Sequence, residues 1–334
     1  MMSKKLDQFI ENGQSEEMES HKKSNNIYLA LTFIISSLSL DNRFFKERFS
    51  KNFLDFIVDD PIERIFSNSY SKIDQERFSK DFKILQQYEK SIKGPIVTDE
   101  MLAEINKNLT KEKIFFISYN SENYPKELKK LDQPPAGLFI KGNKSVIKLF
   151  LKKEYSKSIA IVGTRSPSSY GHVKAREIAD YLSSKEIIII SGLAKGVDFE
   201  AHIGALKNGG LTFAVLAGGV NSLYPKDHEV IYEEISENGL IISERMPDMK
   251  PNQQDFTFRN RIVAALAKVS LIIEAGVKSG TQSQVKYAKY LKKEIVVLEP
   301  KEKTKNNELI YSLIQEGKNT VKEGSDVLKI INES

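Results

Sequence analysis

Between Ser158 and Leu298 the chain alternates short, mostly apolar runs with longer stretches of helical period. The runs are Ile159–Val162, Ile187–Ile190, Thr212–Leu216, Leu240–Ile242, Val269–Ile273 and Glu294–Leu298. Continuous apolar runs without alternation read as strands covered on both faces, which is the habit of parallel sheets. The helical stretches between them are 170–184, 198–208, 226–237, 259–268 and 280–292. Strands joined by helical crossovers predict an open, doubly wound α/β sheet with helices on both faces.

The chain before this segment has a different character. Residues 1–26 are polar and without period, and read as a mobile arm. Residues 27–110 carry helical spacing, as in Leu29, Phe33 and Ser37, or Phe78, Phe82, Leu85 and Tyr88. Pro61 suits the first position of a helix, and Lys93-Gly94-Pro95 is a break. The expected organisation is therefore an arm, a small helical N-terminal domain, and an α/β domain over 111–334. The last opens with two more strand candidates, Ile114–Ile117 and Leu138-Phe139-Ile140.

Composition narrows the chemistry. The chain has no cysteine, which excludes disulfides, thiolate metal sites and cysteine nucleophiles. Its four histidines are far apart and lack metal-ligand spacing. The N-terminus has no apolar signal core, and the run Ile27–Ile35 is too short for a membrane span. The expected location is the cytoplasm, away from membranes. A net charge of +5 is mild, so any nucleic-acid surface must be a local patch.

In a doubly wound sheet the ligand sits beyond the carboxyl ends of the strands. The first strand is followed by Gly163, Thr164 and Arg165, then Ser169 at a helix start. Glycine lets backbone amides face an anion, and arginine adds a forked, permanent donor. The dinucleotide glycine fingerprint is not completed here, nor is there a ribose-binding acid after the second strand. That second strand leads into Gly192 and Lys195, with Asp198 read as the cap of the next helix. His202 is expected to pack or make a local hydrogen bond. Gly218 and Gly219 follow the third strand and permit close approach of a ligand or of another loop. Glu244, Arg245 and Glu274 stand at later strand ends. Phe256, Phe258, Arg259, Asn260 and Arg261 run into a helix, and Lys278, Ser279 and Gly280 form another loop. Arginine beside phenylalanine suits single-stranded nucleic acid, although each phenylalanine could equally belong to the core. Of the two arginines, which point about 200° apart on a helix, Arg259 is expected to be the contact and Arg261 the brace, paired with Glu244 or Glu274. The rim so assembled carries Arg165, Lys195, Arg245, Arg259, Arg261 and Lys278. No nucleophile–base–orienter set is evident.

These motifs, in this order, resemble the DprA/Smf family of DNA-processing proteins. The resemblance rests on Asn123-Tyr124-Pro125, Pro134-Pro135, Lys141-Gly142-Asn143, residues 159–165 (IAIVGTR) and Ser169-Tyr170-Gly171. It continues through 191–198 (SGLAKGVD), Ala201-His202, Tyr224-Pro225, 242–244 (ISE), 259–261 (RNR) and the Glu274-Ala275…Ser279-Gly280 stretch. The family pattern is departed from at Thr257, at residues 281–285 and at Glu299. The resemblance implies an extended Rossmann-like fold, single-stranded DNA as ligand, a RecA-type recombinase as partner, a homodimer, and no cofactor or catalysis. It also places Arg165, Lys195 and Arg259–Arg261 on the DNA surface. Two other readings stay open on the same loops. One is a phosphoribohydrolase acting on nucleoside monophosphates; where those relatives carry a catalytic glutamate this chain has Gln284, which cannot be a general base. The other is a nucleotide sensor.

Overall fold

The structure is a computed structural model and describes residues 28–34, 49–57, 70–91 and 97–333. The expected arm, Ser37, Pro61 and the 93–95 break lie outside these residues. The core is one nine-stranded sheet in the order β1-β2-β6-β5-β4-β3-β7-β8-β9. Its strands are β1 Phe115–Ser118, β2 Gly137–Gly142, β3 Ser158–Val162, β4 Ile188–Ser191, β5 Thr212–Val215, β6 Leu240–Ser243, β7 Val269–Ile272, β8 Glu294–Leu298 and β9 Asn319–Val321. From β6 to β9 across the sheet all neighbours run parallel. The fold is thus the doubly wound α/β arrangement that the sequence predicts, enlarged by three strands, of which β1 and β2 match the two further strand candidates and β9 matches none.

Two of those three lie antiparallel at one edge, with β1 on β2 and β2 on β6. The third, β9, closes the opposite edge beside β8. The chain passes from β6 across the sheet to β7, which lies on the far side of β3. Winding therefore reverses between β3 and β7, and their carboxyl ends diverge to leave a crevice.

The apolar runs are buried because they sit between two layers. One face of the sheet packs with Ile159, Ile161, Ile178, Leu182, Ile189, Ala201 and Leu271 in one cluster. The other contributes Ile190, Phe213, Ile241, Ile262 and Ile295 to a larger cluster. This second cluster extends into the N-terminal helices, including Tyr28, Phe53, Phe78, Phe82, Leu85 and Tyr88. Those helices meet the β1 edge directly. Tyr119 Oη donates to Asp55 Oδ1 at 2.7 Å, and its ring lies 5.9 Å from that of Tyr28.

Several of the motif residues turn out to hold the frame. Tyr124 is buried and donates to the Pro135 carbonyl at 2.8 Å. Asn143 caps the helix Lys144–Leu151, accepting from Ser145 N–H at 2.9 Å. Among the described residues no helix is long and apolar enough to cross a membrane, and no group of His, Asp and Glu could hold a metal ion.

Candidate nucleic-acid interface

The crevice at the winding reversal is an open cleft of about 430 Å³. Ten of the residues singled out from the sequence line it: Gly163, Thr164, Arg165, Gly192, Phe256, Arg259, Asn260, Lys278, Ser279 and Gly280. They come from three loops and a helix that are up to 117 residues apart in sequence (163 to 280).

Each loop is fixed to its neighbour. Thr164 N–H donates to the Glu274 carbonyl at 2.7 Å, and Thr281 Oγ1 donates to the Gly163 carbonyl at 3.1 Å. Gly163 has no room for a side chain: an added Cβ would stand 2.6 Å from Val197 Cγ2. Asn260 reaches across to the 278–281 loop, donating to the Gly280 carbonyl at 3.1 Å and to Ser283 Oγ at 2.8 Å. Asn260 therefore positions Lys278 and Ser279 from behind.

Arg259 is only 6% exposed and is committed to the frame. It donates to the carbonyls of Gly192, at 2.7 Å, and Val215, which are left open where β4 and β5 end. Asp198 stands 4.0 Å away. Burial pulls the Arg259 pKa down to about 10; Asp198 opposes this, and the like charge of Arg165 adds to it. The group keeps its charge at neutral pH. Its guanidinium fits because residue 192 is glycine: a Cβ there would fall 2.1 Å from Arg259 Nη2.

The six-cation rim expected from the sequence is reduced by this packing. Arg261 is 1% exposed, bidentate with Glu244 at 2.5 and 3.1 Å, and its guanidinium lies 4.0 Å from the Phe258 ring centroid. Arg261 also donates to the Gln133 carbonyl at 3.0 Å, which ties the helix Asp255–Leu266 to the β1–β2 connection. Arg245 is equally buried and pairs with Asp255. Lys195 is exposed but pairs with Asp227 at 2.6 Å. That leaves Arg165 and Lys278, both exposed at the cleft and, among the described residues, without a carboxylate partner. The Arg165 guanidinium lies 5.1 Å from the Phe256 ring centroid, and Phe256 is 5.5 Å from Tyr224, a ring that is 56% exposed. Two cations and the Phe256 ring thus share the cleft, with the exposed Tyr224 ring beside Phe256 but outside the lining.

Four other expectations need correction. Gly218 and Gly219 do not face the cleft. Added Cβ atoms there would meet the Met249 carbonyl at 2.7 Å and the Met246 carbonyl at 1.9 Å, so these glycines admit another loop. Ser169 lies exposed on the first helical turn outside the cleft; the cap is Ser168, which accepts from Gly171 N–H and donates to Glu274 at 2.6 Å. Asp198 is not a cap either. Gly196 holds that position, and Asp198 reaches back to accept from Ala194 N–H at 3.3 Å. Finally, the helix expected from 259 begins at Asp255, so Phe256 and Phe258 sit in its first turn.

The acids at the strand ends are also engaged. Glu274 accepts from both Ser168 N–H and Oγ, and Glu244 holds Arg261. Gln284 is buried, donating to Ser270 Oγ at 3.1 Å, and does not line the cleft. Asp198 does line it, with its pKa raised by burial against the pull of Arg259. Residues that sequence reasoning passed over at the cleft are Gln253 and Val263, and nothing in their types marks them; Thr257, noted only as a departure from the family pattern, also lines it.

Behind the cleft, His202 is fully buried with Nδ1 2.7 Å from Thr212 Oγ1, the local hydrogen bond expected of it. Burial, with Arg259 and His228 nearby, depresses its pKa to about 3. The unfolded chain takes that proton below about pH 6.5, while the folded protein resists it until about 3. Stability is therefore expected to fall by about 1.4 kcal/mol per pH unit as pH drops below about 6.5. Urea unfolding at pH 7 and pH 5, on the wild type and on His202→Asn, measures this; the variant should lose that part of the slope.

Residues 115–332, well over half of the chain, match the model of the family described as DNA recombination-mediator protein A. The DNA processing protein DprA of Streptococcus pneumoniae is 32% identical over 239 residues, covering 71% of this chain and 82% of that protein. The matches to the relatives from Mycobacterium tuberculosis and Bacillus subtilis span only about half of those proteins, 45% and 54% of their lengths. The solved DprA of S. pneumoniae superposes with a TM-score of 0.63 at 25% identity, covering 94% of this chain and 96% of that one. A Helicobacter pylori DprA structure, described for its single-stranded DNA binding mode, gives a TM-score of 0.58 at 28% identity, covering 66% and 96%.

Proposed function

The chain belongs to the DNA recombination-mediator protein A family, and from that premise we propose that its cleft binds single-stranded DNA. The observation that carries this reading is the cleft lining, where Arg165 and Lys278, among the described residues without a carboxylate partner, stand with the Phe256 ring, and Tyr224 packs beside Phe256 next to the cleft. Cations there meet phosphates, and the rings offer stacking faces that any base can use. A strand with its bases exposed can present both groups at once, which a duplex cannot. Gly163, Thr164, Gly192, Arg259, Asn260, Ser279 and Gly280 form the wall along which the strand runs, and Lys195 joins it once released from Asp227.

The protein acts as a binder and not as a catalyst in this reading. The acids that glycosidic cleavage would need are held by Ser168, Arg261 and Ala194. In the cytoplasm it hands the bound strand to a RecA-type recombinase, as a homodimer, during recombination and DNA uptake.

The test is a salt titration of binding to dye-labelled oligothymidylate. Affinity is expected to fall with salt at a log–log slope near −0.7 for each phosphate contact, and duplex of equal length should bind more weakly. A flat response, or a preference for duplex, refutes the reading.

A further inference from the structure

The far end of the sheet carries a second concavity. Ser158 opens β3, Lys268 precedes β7 and Lys293 precedes β8, so this cavity lies at the amino ends of the strands whose carboxyl ends form the cleft. Strands of four or five residues separate the two, roughly 13–17 Å of backbone. Its volume is about 270 Å³, and four lysines line it: Lys126, Lys153, Lys268 and Lys293. Glu127 is the one acid of the lining, and among the described residues none of the four lysines is ion-paired with a carboxylate.

Three of these ammonium groups are placed by backbone. Lys153 Nζ donates to the Glu122 carbonyl at 2.6 Å, Lys268 Nζ to Ile331 at 3.3 Å and Lys293 Nζ to Ala267 at 2.8 Å. Each keeps donors to spare, since an ammonium carries three. The charges are also crowded. Burial and the like charges of Lys130 and Lys268 pull the Lys293 pKa below its ordinary value, with Glu127 opposing. Tyr155, 5% exposed, borders the same cavity with a hydroxyl that has no hydrogen-bond partner among the described residues. A cluster of fixed cations with unused donors and too little negative charge is stabilised by a ligand bearing several negative oxygens.

We propose that this cavity is a second anion site, which takes a phosphate-bearing ligand independently of the cleft. Its chemistry is that of point charges, suited to phosphate oxygens of any parent molecule. The source is either a free oligophosphate or the backbone of a DNA strand long enough to pass from one end of the sheet to the other.

Inorganic pyrophosphate and oligothymidylates of increasing length distinguish these sources on the full chain. With ionic strength matched by sodium chloride, pyrophosphate is expected to raise the melting temperature saturably. That rise should persist in Arg165→Ala/Lys278→Ala, which disables the cleft, and vanish in Lys268→Gln/Lys293→Gln. If the source is DNA, long oligonucleotides lose about tenfold or more in affinity for the lysine variant, while short ones are unaffected; if it is a small anion, all lengths bind the variant unchanged. Should that variant fail to fold, Lys126→Glu, on an exposed side chain, gives the same comparison. The site is refuted if neither the pyrophosphate response nor the binding of any oligonucleotide depends on these lysines. Because short oligonucleotides report on the cleft alone, loss of the cleft reading and loss of this one are separately visible.

Discussion

Arg165→Ala is expected to weaken binding of short single-stranded DNA by roughly ten- to a hundredfold while leaving the melting temperature within about a degree. A charge-assisted hydrogen bond is worth about 1.5–3 kcal/mol, which sets that range. The side chain is exposed, and its contact in the folded protein is the Phe256 ring. An exposed cation–π contact contributes on the order of 0.5–1 kcal/mol, so its loss barely registers against the stability of the whole chain. The salt slope should shrink by about 0.7 as well, because one phosphate contact has gone. Fluorescence anisotropy across a salt series, with a thermal melt on the same preparation, decides the matter. Unchanged affinity would remove Arg165 from the interface.

Arg259→Ala should behave in the opposite way. It leaves the carbonyls of Gly192 and Val215 and the buried Asp198 without their common partner. Removing one member of a buried ionic network costs about 3–5 kcal/mol, far more than a surface change. Urea unfolding should show that loss as a lower midpoint, and any loss of DNA affinity should follow from disorder of the loops. Arg259→Lys cannot substitute fully, because an ammonium does not span two carbonyls in a plane as a guanidinium does. If the alanine variant were as stable as wild type and deficient only in binding, Arg259 would be a direct contact and not a structural tie.

The contrast between these two arginines marks the boundary of what the sequence could tell. Glycine-flanked strand ends, apolar runs and ordered motifs are local signals, and they located the cleft-lining loops. Whether an arginine is buried is not local. Arg261 was legible as a brace for Glu244 or Glu274 from its offset to Arg259, and it does hold Glu244; Arg245 looks like Arg165 in sequence, but its fate depends on Asp255, an acid that brings no signal of pairing with it. The β1–β2 edge was legible as two strand candidates, whereas the opposite edge of the sheet was hidden for a different reason. Strand β9 is three residues long with two of them exposed, so it has no apolar run to detect. The start of the helix at Asp255 was hidden by Phe256-Thr257-Phe258, whose alternation resembles a strand; Asn252, whose side chain accepts from Gln254 and Asp255 N–H, sets the helical turn instead. Gly218 and Gly219 show the last limit. Tight glycines announce a close approach, but the approaching partner is the 246–251 loop and not a ligand.

The antiparallel edge has a bearing on how the chain is made. Strand β2 hydrogen-bonds to β6, and Phe139 is registered opposite Ser243, 104 residues later (243 − 139). At a synthesis rate of about 5–20 residues per second, β2 waits on the order of 5–20 s for its partner to emerge. During that interval Leu138, Phe139 and Ile140, which are fully buried in the finished fold, have β1, the preceding helices and the following helix Lys144–Leu151 to cover them, but not the β6 side. The local β3–β4–β5 crossovers can assemble within this time, because their contacts close short loops, whereas the β2–β6 seam is the long-range step that completes the sheet. The packing of Tyr28 and Asp55 against Tyr119 then gains a further role: the first helices are in place to shelter the edge of a sheet that does not yet exist.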